Sequence, residues 1–158
     1  MKPNAGLNDE QRAGVASILK SALADEYVLY TKTRNFHWNV TGPLFHDLHK
    51  FLEGQYAQLE ASIDEVAENI RYFGFKAPGT MAEFLETTRL KEARGSENLK
   101  AQEMVGALLA DHEALIQSLR RDIDTAGSAH QAAEVADFLT GLLEQHLKMA
   151  WMLRSMLE

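Results

Sequence analysis

Apolar side chains recur at three- and four-residue steps along most of this chain. That period places them on one face of an α-helix. Val15, Ile18, Leu19, Ala22, Leu23 and Tyr30 form a first stripe, and Asn8 with Gln11 has the spacing of a capping box at its start. The pattern predicts a helix from about Asn8 to Val40. Thr41-Gly42-Pro43 then reads as a turn. Pro43 suits the first turn of the next helix, where its missing N–H costs nothing. Phe45, Leu48, Leu52, Leu59, Ile63, Val66 and Ile70 carry that second helix from about Pro43 to Phe73, and Gly74 reads as its stop. A third helix fits Leu99 to Ala126, closed by Gly127. A fourth fits Ala129 to Leu157, with Ser128 and Gln131 spaced as a further capping box.

The link over residues 75–98 is the long one. It carries its own capping-box pair, Thr80 and Glu83, and predicts a short helix near Met81 to Thr88. The other two links are tight, so helices one and two are expected antiparallel, as are three and four. The second helix would be about 45 Å long at its usual rise. A link of roughly two dozen residues can span that. An all-α four-helix bundle with one long crossover carrying a short helix has ferritin-like connectivity. It is expected as a single domain over residues 1–158. An up-down bundle with a floppy loop is the alternative, and it leaves the short helix without a purpose.

Composition narrows the function. The chain has 158 residues, 46% hydrophobic and 25% charged, which suits one soluble core. With no cysteine there is no disulfide, no thiolate metal site and no thiol nucleophile. No run is long enough for a membrane span, and MKPNAGLNDEQR lacks the apolar core of a signal peptide, so the cytoplasm is the expected compartment. A net charge of −7 and the lack of a basic tail at either end disfavour holding a polyanion by counterion release.

The candidate chemistry sits on the second helix. Half of the six histidines, His37, His46 and His49, fall within FHWNVTGPLFHDLH. At about 100° per residue, His49, Glu53, Asp64 and Glu68 line one side of the helix, beside the apolar stripe. His49 with Glu53 and Asp64 with Glu68 are both i,i+4 pairs, so each pair can converge on one ion. His37 faces His49 across the tight turn. Glu53 and Asp64, however, are about 16 Å apart along the axis, and metal–ligand bonds are about 2 Å. The halves therefore meet only if two copies of this helix pack antiparallel about a two-fold axis crossing near Gln58 and Leu59. Imidazole and carboxylate without sulfur suit iron, zinc or manganese. There is no Glu-x-x-His for a di-iron site inside one bundle, no His-Glu-x-x-His and no P-loop.

RNFHWNVTGPLFHDLHKFLE followed by IDEVAENI resembles the Dps family, the DNA-binding proteins from starved cells or mini-ferritins. The likeness covers nearly the whole chain. It implies a ferritin-like subunit in a hollow shell of twelve, with ferroxidase centres between two-fold-related subunits. His37, His49 and Glu53 correspond to ligands from one subunit, and Asp64 and Glu68 to ligands from its partner. Trp38 matches a tryptophan beside the centre. His46 has no ligand counterpart and is expected at the surface. The implied reaction oxidises Fe²⁺ to Fe³⁺, two ions per centre, with hydrogen peroxide favoured; ferric mineral collects inside the shell and DNA is spared. Asp137 matches a pore acid, with Glu134 and Asp124 as weaker candidates. Members that bind DNA directly often carry a Lys-rich extension, so weak or absent direct DNA binding is expected here. The rival readings are a structural nucleoid protein with little iron role, and a helical scaffold or receptor-binding antigen.

Overall fold

A computed structural model describes residues 2–94 and 98–158. Its helices are α1 (Asp9–Asn39), α2 (Phe45–Tyr72), α3 (Met81–Thr87), α4 (Ala101–Ser128) and α5 (Ala133–Ser155). Of the link expected over residues 75–98, residues 95–97 lie outside the described residues.

Local chemistry explains most of the boundaries. At the start of α1 the Gln11 N–H donates to the Asn8 side chain, and the Asn8 N–H donates to the Gln11 side chain, each at 2.9 Å. Thr80 and Glu83 make the same reciprocal box before α3. Gly74, at φ 85°, ends α2 in a left-handed turn in which its N–H donates to Arg71 and the Phe75 N–H donates to Ile70. Pro43 does not begin α2. It sits in a turn with Gly42 at φ 101°, closed by the Phe45 N–H on the Gly42 carbonyl, and Leu44 precedes the helix.

Two expectations fail between α4 and α5. Helix α4 runs through Gly127 to Ser128, and α5 starts only at Ala133. Ser128 and Gln131 form no capping box: Ala132 is the N-cap, without a side-chain bond. The Ser128 hydroxyl donates back to Asp124 within its own helix (2.6 Å), and Gln131 takes φ 55°, which no first-turn helical residue can hold. The cause is tertiary. His130 lies against Gly14 of α1 so closely that a Cβ there would meet its ring at 2.1 Å. That contact sets where the chain turns.

Cross-links define the topology. Lys32 pairs with Asp111, while Arg89 bridges Asp25 and Asp122, so α1 and α4 run antiparallel. Ser62 donates to Gln145 and Gln55 to the Met149 carbonyl, so α2 and α5 are antiparallel. Gln11 meets Gln131 and Glu26 meets His146, so α1 and α5 are parallel. Because α1 and α2 form a hairpin, α2 and α4 run in the same direction, and only a full-length crossover can join them. The link climbs α1 as required. Phe75 lies under Lys20, Phe84 stacks on Tyr27 at 4.2 Å, and the Lys91 carbonyl accepts from Lys32. Leu19, Leu23, Leu52, Leu59, Leu108, Leu115, Leu139 and Met149 fill the core between the four long helices. Burial of such side chains contributes about 1.5–3 kcal/mol each. No described helix is long and apolar enough to cross a membrane.

Candidate metal centre

The end of α1 and the start of α2 bring two imidazoles together. The rings of His37 and His49 stack with centroids 3.8 Å apart and planes 21° from parallel. The His37 Nδ1–H donates to the His49 carbonyl at 2.8 Å, and the His49 Nδ1–H donates to the His37 carbonyl at 2.9 Å. A carbonyl oxygen only accepts, so both Nδ1 atoms carry hydrogen. In a neutral ring this leaves Nε2 as a bare lone pair, the form that binds a metal. His37 is buried and His49 half-buried. Tyr56 stands edge-on to His37 at 5.1 Å, and Phe45 flanks His49 at 5.1 Å.

Glu53 lies one turn beyond His49, half-buried, and accepts from the Lys50 ammonium at 2.8 Å. That bond is the main reason its carboxyl is held below the ordinary 4.5, and the nearby His37 and His49 add to the lowering. An ionised carboxylate one helical turn from two imidazoles supplies donor types that suit a borderline divalent ion.

Asp64 and Glu68 are elsewhere. They are exposed on the same continuous helix, and Glu68 accepts from Tyr72 at 3.5 Å. Among the described residues, no three His, Asp or Glu of one chain come together closely enough to hold a metal. The exposed face of α2 between the two sets carries Gly54, Ala57, Gln58 and Ala61. Leu59, expected near a two-fold axis, is fully buried in its own bundle, so the centre of that face is at Gln58.

Several neighbours were not evident from sequence. The Arg34 guanidinium lies 5.0–5.5 Å from the rings of Tyr30, Trp38 and Tyr56, and donates to the Tyr30 hydroxyl at 2.6 Å. Trp38 itself is 63% exposed. A stronger omission is a buried chain of Glu26, His146 and His112 inside the bundle. Its only sequence signal is three polar residues at core positions of apolar stripes. His46 is exposed beside Asp47, as expected. Asp124, Glu134 and Asp137 are exposed near the α4–α5 turn.

The ferritin-like domain profile matches residues 16–158. A low-temperature-induced protein of Nostoc sp. is 46% identical over 98% of this chain and 86% of its own length. DNA protection during starvation protein 2 of Bacillus anthracis is 38% identical over 90% of this chain and 96% of its own. The crystal structure of a Dps protein from Bacillus brevis superposes with a TM-score of 0.89 at 34% identity, covering 96% of this chain and all of that one. By sequence and by fold, the chain belongs to the ferritin-like family, within its Dps group.

Proposed function

We propose that this protein is an iron-storage and detoxification ferroxidase that protects DNA from oxidative damage, built as one domain over residues 1–158. The observation that carries the reading is the reciprocal His37–His49 lock. It spends both Nδ1 hydrogens on backbone carbonyls and leaves both Nε2 lone pairs unspent, with the Glu53 carboxylate one turn further along α2. The family membership and the names of the relatives support iron handling and DNA protection in general.

The substrate is Fe(II). His37, His49 and Glu53 of one subunit would hold it together with Asp64 and Glu68 of a two-fold partner, in a shell of twelve. The small residues Gly54, Ala57 and Ala61 would let the partner's α2 approach closely. Two Fe(II) ions each yield one electron; the O–O bond of peroxide takes both and, with two protons, leaves two waters. The carboxylates supply the negative charge that favours the ferric product. Pairing both electrons with one peroxide avoids a free hydroxyl radical. Zinc or manganese could occupy the same donor set.

Anaerobic loading with Fe(II), followed by peroxide, tests this. His37→Ala/His49→Ala should lose about a hundredfold or more of the oxidation rate, as loss of metal ligands does, while keeping helical content. Wild-type oxidation by the double variant would move the chemistry away from this site.

A further inference from the structure

The bundle core holds a polar chain that the proposed centre does not use. Glu26 of α1, His146 of α5 and His112 of α4 are 0%, 1% and 0% exposed. His146 lies between the other two. Its Nε2 is 2.6 Å from Glu26 Oε1 and its Nδ1 is 2.9 Å from His112 Nδ1. Glu26 Oε2 and His112 Nε2 have no partner. Because His146 uses opposite edges of its ring, the three side chains do not converge on one point, and a shared metal ion does not fit.

Proton bookkeeping does fit. An ionised Glu26 only accepts, and then His146 Nε2–H donates to it. If His146 were then neutral, its Nδ1 would accept from His112, and the Glu26 charge would be buried without compensation. Two arrangements leave no bare charge: an ionised Glu26 paired with a doubly protonated His146, or a protonated Glu26 donating to a neutral His146, and in both His146 Nδ1–H donates to His112. His112 must then be neutral and accept through Nδ1. A proton added to His112 would set N–H against N–H across 2.9 Å. The buried polar residues of α2 are the uncharged Gln55 and Ser62 besides the apolar stripe, and α3 buries only Phe84 among the described residues. Asp25 is held by Arg89, Asp111 by Lys32, Arg12 by Asp9, and His37 by the His49 carbonyl.

We propose that Glu26, His146 and His112 form an acid-sensitive lock of the subunit, which holds α1, α4 and α5 together only while His112 stays unprotonated. Burial first, and the neighbouring His146 second, hold the His112 pKa well below the ordinary 6.5. The unfolded chain therefore takes up this proton before the folded one. The part of the lock that depends on a neutral His112 is fully present above about pH 6.5 and is lost as pH falls below it.

Urea unfolding of the full-length, chelator-treated protein from about pH 7.5 to about pH 5 tests the lock. Comparing wild type with His112→Asn cancels the titrating groups outside the Glu26–His146–His112 chain, including His37 and His49. Below about pH 6.5 the wild-type unfolding constant should rise about tenfold per pH unit more steeply than that of His112→Asn, the equivalent of one proton or about 1.4 kcal/mol. His46→Asn, at an exposed histidine, should follow wild type. Equal slopes for wild type and His112→Asn would overturn the proposal. Should His112→Asn fail to fold, hydrogen-exchange protection in wild type decides. Acid should lower it in α4 and α5 before the α1–α2 hairpin, and uniform loss would overturn the lock equally.

Discussion

Two imidazoles that satisfy each other's backbone carbonyls leave their outer nitrogens without a task inside the chain. That is the central fact at the level of single residues. His37 and His49 are held by three restraints each: the Nδ1 bond, the stack between them and a flanking aromatic ring. Such preorganisation lowers the ordering cost of binding an ion. Lys50 complements it by keeping Glu53 ionised, and an arriving cation would take its place. Asp137 raises a different question. Glu134 lies in the first turn of α5, where the helix dipole stabilises an acid, but Asp137 is a turn further on and gains less from it. An exposed acid there, unpaired within the described chain, suits a path for incoming cations in the proposed shell. Asp137→Asn should slow Fe(II) uptake several-fold, as loss of electrostatic attraction does, with shell assembly intact. An uptake rate equal to wild type in stopped-flow measurements would remove Asp137 from that path.

Among the elements, the crossover is held by a clamp of buried charge. Asp25, fully buried on α1, accepts from the Thr88 hydroxyl (2.9 Å), the Arg89 backbone N–H (2.6 Å) and the Arg89 guanidinium (2.7 Å). Arg89 continues to Asp122 of α4 at 2.8 Å. One carboxylate thus ties the link to α1, and one guanidinium ties it to α4. Asp25→Asn keeps the shape and removes the charge, leaving Arg89 half-satisfied. The expected loss is about 3 kcal/mol, the range for breaking a buried pair from one side, read from chemical unfolding. A change under about 0.5 kcal/mol, the size of an ordinary surface substitution, would show that the clamp is incidental.

At the scale of the whole molecule, the proposed centre is divided between subunits, and that makes a quantitative prediction. One variant, His37→Ala/His49→Ala, lacks the imidazole half. Another, Asp64→Ala/Glu68→Ala, lacks the carboxylate half. Each alone should be inactive. In a mixed two-fold pair one of the two sites is intact, so random reassembly of equal amounts should restore about a quarter of the wild-type rate. No recovery, with mixed assembly verified by mass spectrometry, would refute sharing across the two-fold. Full activity of the Asp64→Ala/Glu68→Ala variant alone would refute it as well.

The four long helices, the short α3, the hairpin turn and the crossover were legible in the sequence because each depends on nearby residues. Apolar period, capping pairs and the Gly74 stop act within one or two turns of chain. The one-turn spacing within the His49/Glu53 and Asp64/Glu68 pairs along α2 was legible for the same reason. What only the tertiary structure decided depends on residues far apart. The α4–α5 turn was set by His130 docking on Gly14, more than a hundred residues away in sequence, and overrode a plausible capping signal. The tautomers of His37 and His49 depended on which carbonyls faced them. The Glu26–His146–His112 chain became visible only when three helices met, because a lone polar residue in an apolar stripe does not reveal its partners.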